Sequence, residues 1–138
     1  MNEKYDQYVE KCFRKSPKKM KWGDPIFVEF KDIVQGVQLH FDKDIDAQGI
    51  FLAIDGEVNG EVPDDLWDIY MAAFDFSIAV GRKVAADIVQ NMSDHEFGKF
   101  EADNYSDEEG NFDCSFDLEW QKTGDDEYKA RLYPEYPE

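Results

Sequence analysis

One long apolar segment, residues 66–80, constrains the fold of this 138-residue chain more than any other feature. It contains only two charged residues, Asp68 and Asp75, which lie seven positions apart and therefore on one narrow stripe of a helix. The stretch Val62-Pro63-Asp64-Asp65 precedes it and predicts a helix start, because proline and carboxylates suit the first turn. We expect a mostly buried helix from about residue 62 to residue 90, with a sheet packed against it.

Alternating apolar residues predict strands in much of the remaining chain. The most regular example is FDCSFDLEW, residues 112–120, whose apolar residues would face the core and whose acidic residues would face water. The predicted strands cover residues 25–32, 37–41, 50–55, 97–102, 112–121 and 128–133. The predicted fold class is α+β, with an antiparallel sheet of about five to six strands packed on one long central helix and a short N-terminal helix at 2–15.

The chain is predicted to be a single domain, residues 1–138, because typical domains contain about 100–150 residues. Residues 1–21 are predicted to form a basic N-terminal helix and connector, and residues 134–138 are predicted to form a loose tail. No signal-peptide pattern opens the chain, so we expect a soluble, cytoplasmic protein. Cys12 and Cys114 are expected to be reduced in that compartment, although a single disulfide between them stays open.

The net charge is unusual and unevenly distributed. Fifteen Lys and Arg residues oppose 32 Asp and Glu residues, which gives −17, and residues 32–138 alone carry −20. The first acidic segment, residues 42–75, contains ten acidic residues and one lysine; the second, residues 93–127, contains thirteen acidic residues and two lysines. This distribution disfavours direct binding to nucleic acid or an anionic membrane, and it favours a basic protein as partner.

The stretch HFDKDIDAQGIF, residues 40–51, resembles a calcium loop over its first half. Aspartates occupy positions one, three and five of the pattern, but position six is Ala47 rather than glycine and position twelve is Ala53 rather than glutamate. Since strands are predicted on both sides, we interpret the stretch as a hairpin loop. A calcium- or metal-binding module that uses the acidic loops is kept as an alternative.

Catalytic motifs are absent from the sequence. The two histidines, His40 and His95, form no metal-binding pair, and Cys114 is predicted to point into the core. No nucleophile elbow, phosphate-binding loop or dinucleotide fingerprint occurs. The sequence therefore predicts a protein that is not an enzyme and that has neither a cofactor nor a metal site.

The strand at 112–121 has two interpretations. Residues on one face of a strand lie about 6.6–6.8 Å apart, close to two rises along one DNA strand, roughly 6.8 Å, so its carboxylates could take the positions of phosphates. Alternatively, a hairpin centred on Gly124 would place Glu119 opposite Lys129 and Asp117 opposite Arg131. Those two ion pairs would neutralise the middle of the strand.

In size, acidity and predicted layout, the chain resembles acidic inhibitor proteins of bacteria and phages. The stretches DKDID, PDDLWD, SDEEGNFD and GDDE carry this resemblance. It is similar to immunity proteins, which neutralise nuclease toxins, and to DNA-mimic proteins, which occupy the DNA site of a histone-like protein, repressor, restriction enzyme or CRISPR effector.

The resemblance implies a non-catalytic protein that blocks a basic nucleic-acid-binding protein. Immunity is the preferred function and DNA mimicry is the alternative, while an acidic housekeeping domain also stays open. The predicted partner-binding residues are Asp42, Asp44, Asp46, Asp103, Asp107, Glu108, Glu109, Asp113, Asp117, Glu119, Asp125 and Asp126.

Overall fold

The structure is a computed structural model that describes residues 3–15, 23–91 and 116–134. Within these ranges the fold is α+β, as predicted, and combines four α-helices with a three-stranded antiparallel sheet. The elements in chain order are α1 (Glu3–Phe13), β1 (Ile26–Val28), α2 (Phe30–Phe41), α3 (Ala47–Val58), a 3-10 helix (Asp64–Leu66), α4 (Trp67–Gln90), β2 (Phe116–Gly124) and β3 (Glu127–Pro134).

The predicted long helix is confirmed as α4, and the predicted N-terminal helix as α1. α4 is the centre of the fold, because it contacts the other three helices and the strands β1 and β3. Its inner face is apolar apart from Ser77, whose hydroxyl donates a hydrogen bond of 3.0 Å to the carbonyl of Ala73. This buried polar group is therefore satisfied within the helix.

The predicted strand at 37–41 is wrong, since these residues belong to α2. Ile33, Gly36 and Val37 are buried at helical spacing, whereas the alternation of apolar residues at 37, 39 and 41 favoured a strand. Gly36 lies against the ring of Phe76 on α4, and a Cβ added there would overlap that ring. The glycine thus allows α2 and α4 to approach closely.

The predicted central strand at 50–55 is also wrong, since these residues belong to α3. Ile50, Ala53 and Ile54 are fully buried, but Leu52 between them is 44% exposed. That spacing is helical. A short apolar run cannot be assigned to a strand or a helix by periodicity alone, and here the contacts with α4 decide for the helix.

The described sheet has the strand order β1-β3-β2, so the prediction of five to six strands is wrong. Two of the six predicted strands are helices, and the strand predicted at 97–102 lies outside the described residues. β1 is shorter than predicted because α2 begins at Phe30. Ile26, Val28, Ala130 and Leu132 form the inner face of the sheet within the core.

The predicted hairpin of β2 and β3 is confirmed, but its register differs. Glu119 lies opposite Arg131 rather than Lys129. Asp117 lies opposite Tyr133 rather than Arg131. The turn is centred later along the chain than predicted, and the pairing is displaced by two positions as a result. The two predicted cross-strand ion pairs are therefore wrong.

Candidate functional site

The three aspartates of the stretch DKDID lie between two helices, and each has a local structural role. Asp42 ends α2 in the left-handed backbone region, with φ 52°, and its N–H donates to the carbonyl of Gln38. Asp46 caps α3 and accepts a hydrogen bond of 3.1 Å from the N–H of Gln48. Asp44 accepts one of 3.3 Å from the side chain of Gln38. The predicted hairpin loop is therefore a helix–helix connection.

This connection does not have the dimensions of a calcium loop. α3 already begins at Ala47, so the connection is much shorter than the 12-residue loop that calcium-binding helix pairs use. In the described part of the chain, no group of three or more His, Cys, Asp or Glu side chains is arranged to hold a metal ion. The described residues thus give the metal-binding alternative no site.

All ten acidic residues of the first acidic segment are described, and nine of them are exposed. The exception, Asp55, is partly buried and accepts a hydrogen bond of 2.8 Å from the hydroxyl of Tyr128. The ion pairs between described residues are Arg14–Glu10, Lys15–Asp32 and Lys83–Glu10. None of the ten carboxylates takes part in them, so direct ion pairing between described residues does not neutralise this segment.

Helix stability explains part of this acidity. Asp64 and Asp65 lie in the 3-10 helix and Asp68 in the first turn of α4, where a negative charge stabilises the helix by about 0.3–1 kcal/mol. Glu57 lies in the last turn of α3, where the helix dipole disfavours a negative charge. Glu61 follows in the connection to α4. The segment therefore carries more acidic residues than its helices require.

The second acidic segment is described only from residue 116 onward. Glu119 is exposed, and Asp125 and Asp126 form the exposed turn between β2 and β3. The backbone of Asp117 pairs with that of Tyr133. The other predicted residues of this segment lie outside the described residues; they are Asp103, Asp107, Glu108, Glu109 and Asp113.

The basic residues of β3 are held on aromatic rings at the outer face of the sheet. The Nζ atom of Lys129 lies 4.4 Å from the ring centre of Phe27, and the guanidinium of Arg131 lies 4.9 Å from that of Tyr133. Both distances are within the range of cation–π interactions. Since Glu119 lies opposite Arg131, this part of β2 is a carboxylate beside cations rather than an uninterrupted acidic ladder.

An aromatic cluster joins α4 to β2 and was missed by the sequence analysis. The rings of Trp67 and Tyr70 stack at 5.9 Å with an interplanar angle of 24°. The indole N–H of Trp120 donates to the hydroxyl of Tyr70 at 3.3 Å. Tyr70 is buried, and its pKa is raised mainly by this burial. The hydrogen bond from Trp120 acts in the opposite direction but is the smaller effect. Trp67 is 48% exposed, so the cluster extends from the core to the surface.

A signal for this exposure was present in the sequence. Trp67 directly precedes Asp68, and Met71 lies four positions after Trp67. Both apolar residues are therefore next to the charged stripe of the predicted helix rather than on its far side. Because α4 was expected to be mostly buried, the exposure of Trp67 and Met71 was not predicted; Met71 is 38% exposed.

A polar cluster around the buried Asp32 lies between α1 and α2 and was not predicted from the sequence. Asp32 is only 4% exposed. Its Oδ1 atom accepts a hydrogen bond of 2.6 Å from the hydroxyl of Tyr8. The Nζ atom of Lys15 lies 3.1 and 3.2 Å from its two carboxylate oxygens. This carboxylate is thus fully partnered, and it ties α1 to α2.

A pocket of about 360 Å³ lies beside this cluster, lined by Cys12, Lys15, Asp32, Val80 and residues 25–29. Cys12 is a free, buried thiol. Burial raises its pKa to about 11, and the negative charge of Asp32 acts in the same direction. A thiol of this kind is protonated at neutral pH and is a poor nucleophile. The thiol in the lining of this pocket is therefore not an activated nucleophile.

Comparison with known protein families, curated proteins and solved structures finds no match to this chain. Within the described residues, no helix combines the length and the apolar character needed to cross a membrane.

Proposed function

We propose that this chain is a non-catalytic, cytoplasmic inhibitor that binds a basic nucleic-acid-binding protein, namely a nuclease toxin that it neutralises. One observation carries the proposal. The ten carboxylates of the first acidic segment form no ion pair with described residues, and nine of them are exposed. Their charge is therefore not neutralised by ion pairs with the described Lys and Arg residues.

A nuclease binds the phosphates of its substrate through Lys and Arg side chains. Carboxylates that cover those side chains block the substrate channel, and the opposite net charges of the two proteins accelerate their encounter. With a net charge of −17, the chain meets the electrostatic requirement for this role. The mechanism needs neither a nucleophile nor a metal ion.

DNA mimicry is the second function that we predicted from the sequence, on the basis of regularly spaced carboxylates on β2. In the described hairpin, Glu119 lies opposite Arg131 and Gln121 lies opposite Lys129. This part of the face thus places one carboxylate and one neutral amide opposite two cations. No described feature therefore favours DNA mimicry over the inhibition of a nuclease.

The test begins with affinity capture from the source cells and identification of the bound protein. The purified partner is then assayed for nuclease activity, with and without one equivalent of this chain, and its Kd is measured at low and high salt. We expect stoichiometric loss of nuclease activity and a Kd at least about tenfold weaker at high salt, because screening weakens surface attraction. A partner that is not basic, or a Kd that does not change with salt, would refute the proposal.

A charge-only variant locates the contribution of the α2–α3 connection. The triple variant Asp42→Asn, Asp44→Asn, Asp46→Asn keeps the fold, because asparagine tolerates the left-handed conformation and is a good N-cap. The control variant Glu3→Gln, Asp6→Asn, Glu29→Gln removes the same charge from exposed positions elsewhere. We expect several-fold slower association for the first variant and less than about twofold for the control. Equal effects would argue against this connection as part of the interface.

A further inference from the structure

One face of α4 combines apolar and acidic side chains. Trp67 and Met71 are 48% and 38% exposed, and Phe74 and Ile78 continue the same face as partly buried residues. Their spacing of four, three and four positions places all four side chains on one line along the helix. We call these four residues the α4 face.

A stripe of negative charge runs beside the α4 face. Asp68 and Asp75 directly follow Trp67 and Phe74 and are exposed. Neither forms an ion pair with another described residue. The exposed Asp64 and Asp65 add two further charges just before Trp67. An apolar surface with this border complements a partner that presents apolar and basic side chains together.

Trp67 is held in place before any partner binds. Its ring stacks on Tyr70, which is 7% exposed and accepts a hydrogen bond from Trp120. An anchor that is already ordered loses little conformational entropy on binding. Tryptophan and methionine are also enriched in protein–protein interfaces, and tryptophan is among the commonest energetic hot spots.

We propose that the α4 face anchors the inhibitor to its target, and that it binds a segment carrying Arg or Lys beside apolar side chains. A guanidinium can lie over the indole of Trp67 while it pairs with the carboxylate of Asp68. This inference rests on the proposed function and adds the chemistry of the partner's contact segment. A second copy of this chain is a poor occupant, because it would bring Asp68 and Asp75 against like charges.

The test uses two synthetic peptides of equal length and charge. One carries arginine and leucine at helical spacing, and in the other serine replaces each leucine. Fluorescence polarisation gives the Kd of each peptide for the full chain. We expect the arginine–leucine peptide to bind at least about tenfold more tightly. Equal Kd values would overturn the proposal.

Matched variants then locate the site. Trp67→Ala is expected to remove the preference for the arginine–leucine peptide, whereas Trp67→Phe, which keeps an aromatic ring, retains most of it. Phe27→Ala is the control, because Phe27 is exposed to a similar extent (45%) but lies beside Lys129 and Arg131 on the sheet. The proposal fails if Trp67→Ala keeps the wild-type preference while its circular dichroism is unchanged. It also fails if sedimentation shows a dimer that Trp67→Ala dissociates.

The two proposals can fail separately. If Trp67→Ala has no effect but a basic nuclease is still inhibited in a salt-dependent manner, the α4 face is excluded and the inhibitor function stands. If the peptides are discriminated through Trp67 but the captured partner is not basic, the nuclease function is excluded. The α4 face would then remain a docking site for basic amphipathic segments.

Discussion

Carboxylate groups lie in opposite environments in two regions of the molecule. Asp32 lies between α1 and α2, is 4% exposed, and is partnered by Tyr8 and Lys15. The first acidic segment, residues 42–75, holds ten carboxylates, of which nine are exposed and none forms an ion pair with described residues. Loss of a buried, hydrogen-bonded carboxylate is destabilising because it leaves its partners unpaired, whereas loss of an exposed carboxylate without an ion pair costs little stability.

The difference separates the stability of this protein from its proposed function. Removal of Asp32 should affect folding, because it leaves Lys15 and Tyr8 without their partner. Removal of a charge from the first acidic segment should mainly affect the rate at which a basic partner associates.

Asp32→Ala should lower the free energy of unfolding by about 2–3 kcal/mol. Breaking a buried ion pair costs about 3–5 kcal/mol, and the half-exposed side chain of Lys15 reduces that loss because water can solvate it. Asp44→Ala is the control and should change stability by less than about 0.5 kcal/mol. Urea denaturation measures both variants. Similar losses for the two would abolish the distinction between the regions.

The thiol of Cys12 tests the same buried cluster through pH. Burial raises its pKa from the ordinary value of 9.0 to about 11. At pH 8, alkylation should therefore be about 100-fold slower in the folded protein than in urea, because each pKa unit changes the thiolate fraction tenfold. The background Cys114→Ser removes the other thiol. Equal alkylation rates in the two states would show that Cys12 is not buried.

The sign of the linked stability change follows from the direction of this shift. Folding favours the protonated thiol, so its contribution to stability is complete below pH 9 and is lost as the pH rises towards 11. The pKa of Tyr5 is also raised, to about 12, mainly by burial and additionally by Asp75. We therefore expect the midpoint of urea unfolding to fall with rising pH in the alkaline range. A midpoint that rises there would contradict this assignment.

Tyr8→Phe should lower the free energy of unfolding by about 1–2 kcal/mol, because the hydroxyl donates to a buried carboxylate. The same substitution should cost clearly less in the background Asp32→Ala, where its acceptor is already missing. This double-mutant cycle measures the coupling between the two side chains. Additive losses would mean that the hydrogen bond contributes nothing to stability.

Two substitutions of Asp42 separate backbone conformation from charge in the exposed region. Asp42→Gly should raise the free energy of unfolding by about 0.5 kcal/mol, since glycine adopts the left-handed region without strain. Asp42→Ala removes the same charge but should lower stability by about 1 kcal/mol. If both variants are destabilised equally in thermal unfolding, the carboxylate itself has a structural role.

The elements predicted correctly are those in which the local sequence pattern indicates only one type of secondary structure. α4 was predicted because Pro63, Asp64 and Asp65 mark a helix start before a long apolar run. The hairpin followed from strict alternation on both of its strands. α2 and α3 were missed because their apolar residues fit both periods over a short length. Packing on α4 determines that they are helical. For example, Gly36 of α2 leaves space for the ring of Phe76 on α4.

The candidate site was predictable in charge but not in geometry. The acidity of the first acidic segment is evident from composition. The connection at Asp42–Asp46 was interpreted as a hairpin loop between two strands, however, so the capping roles of Asp42 and Asp46 in helices were not foreseen. Nothing in the sequence around Asp32 indicated that its side chain is buried and hydrogen-bonded. Its partners Tyr8 and Lys15 lie 24 and 17 residues away in the sequence, and no local pattern reports such a contact.

The order of strands in the sheet has a consequence for biosynthesis. β1 pairs only with β3 among the described strands, and Ile26 lies opposite Leu132, so the two partners are separated by most of the described chain. At about 5–20 residues per second, a ribosome needs roughly 5–20 s to synthesise the intervening residues. During that interval the nascent helices can pack on one another, whereas the apolar residues of β1 cannot yet pair with β3. We therefore expect chaperones that recognise short hydrophobic segments to contact β1 during translation.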